Sequence, residues 1–330
     1  MTITATTTTG AAQRQLTLPD GTVAQLHGPL EPGVPLVVLL HGFAGDLASL
    51  TRPRHGRTSW RDALLAAGYS TLSYRQAAPL GTLEPNVEQL LCVAAGPLSA
   101  DDRLRRLPLI LLAHSRGGLL ARAFLDRAAA EPALRGVIDR VERVVTLHSP
   151  HQGSGLAGLT IRMDATARRL QTLVGSLGLR PAVLAALCAL SASPAVAELA
   201  PGSPLLRTLA RRTPPAGITW HTFGGISADL GRLQTLLGSP NGPDHRPGPA
   251  RIARTRGLGE LLGVLDRLAL LTPALREGEG DLVVADACAR LPFAAGHTVN
   301  RLTHIEALWD PALHAQVIGL LTGRDVLVAA

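Results

Sequence analysis

Lysine is absent from this chain, so all of its 32 basic residues are arginine. No run of five or six arginines occurs, so the net charge of +7 reads as basic residues spread over a solvated surface. Aromatic residues make up only 3% of the chain, which leaves little for nucleic-acid binding by base stacking. Nucleic acid is therefore not an expected partner. There are 3 cysteines, Cys92, Cys188 and Cys288, far apart and with no Cys-x-x-Cys pair. The odd count gives no disulfide framework and allows at most one bridge, and the missing pair argues against a zinc site. Cys92 and Cys188 lie in apolar helical runs and read as small buried hydrophobes. The most apolar stretch, Pro181–Val196, is too short for a bilayer and is interrupted by Pro194. Met1–Gln15 lacks both the charged and the apolar region of a signal peptide, so a cytoplasmic location is expected.

What is present is apolar. Hydrophobic residues form 46% and charged residues 17% of 330, a balance that excludes general disorder and permits a large core. Residues 1–12 read as disordered. Arg14–Leu18 and Thr22–His27 flank the turn Pro19-Asp20-Gly21 and read as a hairpin. Pro35–Leu40 and Pro108–Ala113 are continuous apolar runs, the pattern of strands buried on both faces of a parallel sheet. Tyr69–Tyr74, Arg143–Leu147 and Ile218–Phe223 read as further strands. Helices are expected at Trp60–Ala67, Pro85–Ala95, Arg116–Ala130 and from about Pro311. Strand and helix alternate, so the fold class is α/β, with a mostly parallel central sheet. The core is expected in two parts, 13–150 and 218–330. Between them 151–217 reads as a helical cap inserted over the site, and 229–258 as a long surface loop.

The segment Leu109–Gly118 (LILLAHSRGG) carries the chemistry. A buried strand runs into Ser115 and then into a helix, with Ala113 two residues before the serine and Gly117 two after. This is a nucleophile elbow: a strained turn lifts the hydroxyl clear of the sheet, and the flanking positions must be small. The strand ending in His41-Gly42-Phe43 can aim the Phe43 amide at the same point, where the Arg116 amide would complete an oxyanion hole. His41 itself is expected to line the site and order this loop. A serine hydroxyl cannot attack unaided, so a histidine base and a carboxylate must follow. His304 and Asp281 are the candidates, with His297 and His314 as rival histidines and Asp229 as a rival acid. His314 is expected on the solvated face of the last helix.

Six motifs in order, HGFAG, AHSRGG, TLHSPHQGSG, ELAPGSPLLRTL, GDLVV and NRLTHIEAL, resemble the bacterial lipases and esterases of α/β-hydrolase fold over roughly residues 34–322. The resemblance implies a triacylglycerol-lipase-like serine hydrolase. Its implied triad is Ser115, Asp281 and His304, with the oxyanion hole at Phe43 and Arg116. The turn containing His151 would line the pocket. The resemblance further implies a small-molecule or lipid ester substrate, transient contact with a lipid interface, and no cofactor. Ala113 stands where glycine is commoner, and Thr303 where asparagine often precedes the histidine. Glu306 stands where some relatives place a calcium-ligating aspartate, but partner carboxylates for calcium are not identifiable, so no metal is expected. Acyl transfer or amide cleavage on the same triad, and a non-catalytic binding protein, are the alternative readings.

Overall fold

A computed structural model describes residues 2–8, 11–18, 21–54, 56–158, 161, 193–229, 231–232 and 272–323. Nine strands form one sheet in the order β1-β2-β3-β5-β4-β6-β7-β8-β9. They are β1 Thr2–Thr8, β2 Ala11–Thr17, β3 Val23–His27, β4 Leu36–Leu40, β5 Ser70–Tyr74, β6 Leu109–His114, β7 Val141–Leu147, β8 Thr219–Gly225 and β9 Gly296–Asn300. The pairs from β1 to β3, and β3 with β5, are antiparallel. All pairs from β5 across to β9 are parallel.

The helices that matter here are α1 Trp60–Ala66, α2 Glu84–Ala95, α3 Arg116–Ala129, α4 Pro194–Leu199, α5 Pro204–Ala210 and α6 Pro311–Thr322. Local chemistry sets their ends. Ser59 caps α1 by accepting from the Asp62 N–H. Asp310 caps α6 by accepting from the Leu313 N–H, Pro311 follows it, and Gly323 closes the helix in a left-handed conformation.

The continuous apolar strands are buried on both faces because a core lies on each. Leu36, Val38 and Leu40 of β4 pack with Val87, Leu90 and Val93 of α2 and Leu120 and Phe124 of α3. Val37 and Leu39, alternating with them, pack with Trp60 and Leu64 of α1 and Leu313 and Val317 of α6. The chain runs from β4 outward to β5 and then returns to place β6 on the other side of β4. That reversal is a topological switch point, and ligand sites in such sheets lie at the carboxyl ends of the strands beside it.

Several expectations change. Residues 1–12, expected to be disordered, contain β1 and the start of β2. The added strand extends the hairpin Arg14–Leu18 and Thr22–His27 into a three-stranded antiparallel edge. β9 was not foreseen, because its half-exposed GHTVN sequence has neither an apolar run nor a clean alternation. Cys92, expected to be buried, is on the exposed side of α2. His314, expected on a solvated face, is buried with its ring centroid 4.2 Å from that of Trp60. The reason is that α6 is apolar around most of its circumference and is covered by α1 and the sheet. Of the cap expected at 151–217, α4 and α5 are described, while 159–160, 162–192 and with them Cys188 lie outside the described residues. Most of the expected loop 229–258 does so too. Among the described residues no helix is long and apolar enough to cross a membrane.

Candidate active site

β4 and β6 end side by side at the switch point, and each delivers one half of the site. β6 stops at His114, and α3 starts at Arg116. Ser115 alone makes the turn, with φ 57° and ψ −128°. A serine seldom occupies this region, and such strain persists only where the surroundings enforce it. The surroundings are tight: a Cβ on Gly117 would collide with the Leu40 carbonyl, and one on Gly42 would lie 2.7 Å from the Ser115 Cβ. Small residues around the serine are therefore a consequence of two strand ends meeting.

The Ser115 Oγ lies 2.8 Å from His304 Nε2, and His304 Nδ1 lies 2.8 Å from Asp281 Oδ2. With the carboxylate accepting the Nδ1–H, Nε2 is left to accept the serine O–H. Asp281 is fully buried and saturated. Its Oδ1 accepts from the backbone N–H of Val283 at 2.9 Å and of Val284 at 2.7 Å. Burial alone would raise its pKa. The facing His304, with the hydrogen bonds from His148 and His304, outweighs that and holds the carboxyl well below its ordinary range. The His304 N–H also donates to the Asp281 carbonyl at 2.8 Å, so the two residues are locked through main chain and side chain together.

A capping arrangement sets the turn that carries His304. The Thr303 N–H donates to Glu306 Oε2 at 2.9 Å, and the Glu306 N–H faces Thr303 Oγ1 at 3.4 Å. Glu306 Oε1 pairs with Arg232 at 3.1 Å. The glutamate considered as a cation ligand is thus engaged as a cap and an ion-pair partner.

Among the described residues, no hydrogen bond takes up the backbone N–H of Phe43 or of Arg116. The first lies in the loop after β4 and the second at the first turn of α3, where helix N–H groups have no partner within the helix. The loop is held by His41. Gln76 N–H donates to its Nε2 at 3.2 Å, its Nδ1 faces the Gly42 carbonyl at 3.2 Å, and Gln76 Nε2 donates to the His41 carbonyl at 2.7 Å. Burial lowers the pKa of this ring.

The Arg116 side chain turns away from Ser115 and is almost wholly buried. It donates to the carbonyls of Ala78, Pro79 and Gly81 and meets Glu198 of α4 at 3.0 Å. Burial lowers the arginine pKa and raises that of Glu198, and each partner opposes the shift of the other. This pair ties α4 to the residue after the serine, and nothing in the local sequence signals it.

The rival residues are elsewhere. Asp229 is exposed and accepts from the Arg232 N–H at 3.0 Å. His297 belongs to a second row: its Nε2 lies 2.8 Å from Asp286 Oδ1 and its Nδ1 2.7 Å from Thr222 Oγ1 on β8. His151 is buried, with Nε2 3.0 Å from Thr146 Oγ1, and its Nδ1 has no partner among the described residues. Burial lowers its pKa far below the ordinary value. The histidine that does reach the row is one the sequence reading passed over. His148 Nδ1 lies 2.8 Å from Asp281 Oδ2, the oxygen that also faces His304.

No family profile and no curated protein sequence matches this chain. Solved structures do. The chain is similar to the mature form of the Bacillus licheniformis lipase BlEst2, with 20% identity and a TM-score of 0.54, over 88% of this chain and 93% of that one. It is similar to the propeptide form of the same lipase at 19% identity and TM-score 0.54, over 89% of this chain and 51% of that one. The fold is the α/β-hydrolase fold. Within it, the strand-to-helix turn at Ser115 and the loops bearing Asp281 and His304 stand at one end of the sheet.

Proposed function

We propose that this α/β-hydrolase-fold protein is a serine hydrolase that cleaves carboxylic esters through an acyl-enzyme. The observation that carries the reading is the row Asp281–His304–Ser115 with the serine at a strained elbow. Ser115 Oγ attacks the acyl carbon as its proton passes to His304 Nε2. The carbonyl oxygen becomes an oxyanion, which the amides of Phe43 and Arg116 receive. The tetrahedral species collapses, the bond to the alcohol oxygen breaks, and His304 returns its proton to that oxygen. Water then gives a proton to His304 and attacks the acyl-serine; in the second collapse the bond to Ser115 Oγ breaks, His304 returns the proton to that oxygen, and the acid leaves. Asp281 stabilises the imidazolium and fixes its tautomer. In this scheme His41 keeps the Phe43 loop in place, and His151 borders the turn that closes the pocket.

The BlEst2 relatives are lipases by name, and the apolar insert after β7 leaves the sheet at the edge that carries Ser115. We assign the acyl group to that side. Binding should then grow with chain length, at most by about 0.8 kcal/mol per buried CH₂. A series of p-nitrophenyl esters tests this: kcat/KM should rise from acetate to medium chains and then level. A fluorophosphonate should label Ser115 stoichiometrically. Labelling with a profile that falls steadily from acetate would keep the ester hydrolase and overturn the lipid-like substrate; no labelling and no turnover of any ester would overturn the function.

A further inference from the structure

The carboxylate of Asp281 serves two histidines. His304 approaches Oδ2 from the Ser115 side. His148, at the end of β7, approaches the same oxygen at the same 2.8 Å and is fully buried. Its far nitrogen, Nε2, lies 3.2 Å from Asn300 Oδ1 at the end of β9. The Asn300 amide oxygen on one side and the Asp281 carboxylate on the other hold the ring, with Nδ1–H directed at Asp281.

The protein strains its backbone to keep the ring there. His148 has φ 53°, a left-handed conformation rare for a residue with a side chain. Opposite it stands Gly225, where a Cβ would collide with the imidazole Cε1. A strained residue, a glycine that makes room, an orienting amide and a saturated carboxylate make a built arrangement rather than a chance contact. The titratable groups facing His148 are Asp281, His304, whose ring centroid is 6.1 Å away, and His114.

We propose that His148, oriented by Asn300, is a positioning residue for the ester hydrolysis assigned above, holding the Asp281 carboxylate with a second N–H so that the acid cannot rotate away from His304. It touches no substrate. The inference rests on the Ser115–His304–Asp281 reading. Its sign is definite. With two N–H donors on Oδ2, the negative charge facing His304 is reduced. Removing one strengthens the field on His304, favours its imidazolium and moves the acid limb of kcat/KM to higher pH.

The test uses the full chain and p-nitrophenyl butyrate. His148→Gly suits the positive φ and removes the ring; His148→Gln keeps an N–H donor. His148→Gly should lower kcat by roughly ten- to a hundredfold, the range set by one hydrogen bond to a charged group. KM should stay nearly constant and the acid limb should move up in pH. His148→Gln should recover most of both changes. Both variants within twofold of wild type, or a loss of kcat with an unmoved acid limb, would overturn the proposal. Should the variants not fold, histidine-labelled wild type decides: two far-downfield Nδ1–H resonances support the shared carboxylate, and a single one overturns it. Ligand atoms of His148, Asp281 and His304 lie within 4.8 Å of one another, a spacing that a metal ion could also use. One bound equivalent of a divalent metal, with activity lost on chelation, would therefore also overturn the proposal. Wild-type-like activity in Ser115→Ala would instead sink the catalytic reading beneath it.

Discussion

Among the described residues, two rows of carboxylate, imidazole and hydroxyl have acids only five positions apart. In one, Asp281, His304 and Ser115 are linked at 2.8 and 2.8 Å. In the other, Asp286, His297 and Thr222 are linked at 2.8 and 2.7 Å, with the imidazole the other way round. Distances do not separate them; the settings of the hydroxyl and the acid do. Ser115 occupies a strained turn at the mouth of a helix. Thr222 is inside β8, in extended backbone and without exposure. Asp281 is fully buried and takes only N–H donors that hold it in place. Asp286 is shared with the Arg290 guanidinium at 2.6 Å, near solvent. A hydrogen-bonded row is therefore cheap for a fold to make. A reactive one needs a hydroxyl forced out of regular structure and donors waiting where charge will develop.

That contrast can be broken in three places. The largest effect should come from the hydroxyls. Ser115→Ala should lower ester turnover by roughly four or more powers of ten with the fold intact. Thr222→Val should leave turnover within about threefold, since a buried strand hydroxyl touches no substrate. Equal losses, measured as kcat on p-nitrophenyl butyrate, would erase the distinction between the rows.

The acids come next. Asp281→Asn should lower kcat by roughly three to four powers of ten, because the His304 tautomer is no longer specified. Asp286→Asn should hardly change kcat but should cost about 1–3 kcal/mol of stability, as the largely buried His297 loses its charged acceptor. Denaturant unfolding beside kinetics separates the two. Asp229→Asn should do neither, given its exposure.

The smallest effect sharpens the comparison by removing a background common to both rows. The Asp281 pKa is depressed, so the stability its pairing contributes is present above the ordinary carboxylate range and is lost only in stronger acid. Between pH 6.5 and 4, histidines buried neutral contribute a loss of stability as pH falls. Burial lowers His314 from 6.5 to about 4. Its folded pKa lies below its unfolded one, so the unfolded chain binds the extra proton and stability falls as pH drops below 6.5. His314→Phe keeps the packing on Trp60 and removes that proton. It should gain about 2 kcal/mol over wild type at pH 5 and nothing from this source at pH 8. A Tm difference independent of pH would refute the assignment.

How much of this could be read beforehand follows the range of each interaction. Ser115 was legible because an elbow is local: strand, small residue, serine, glycine and helix are contiguous. The strands β4 and β6 were legible because burial on both faces leaves an unbroken apolar run. Asp281 and His304 were narrower inferences. Chain order admitted Asp229, His297 and His314 as well, and only the structure shows that Asp281 and His304 are the pair hydrogen-bonded in a row with Ser115. His314 was misjudged because a helix covered on most sides has no polar face to read. β9 was missed because an edge strand needs no core pattern. His148 left no sign, since its partners Asp281 and Asn300 are 133 and 152 positions away.

By itself, the sequence determined the alternation of strand and helix, the strand-to-helix turn at Ser115 and a short set of acids and histidines that follow it in the chain. Those are consequences of periodicity and of sterics between neighbours, which are written locally. The tertiary structure decided which carboxylate faces which imidazole, that two histidines share Asp281, and that the near-identical row at Thr222 stays inside a strand. These depend on how nine strands and the loops between them meet at one edge. Contact there is fixed by packing across the whole sheet, and no stretch of chain records it.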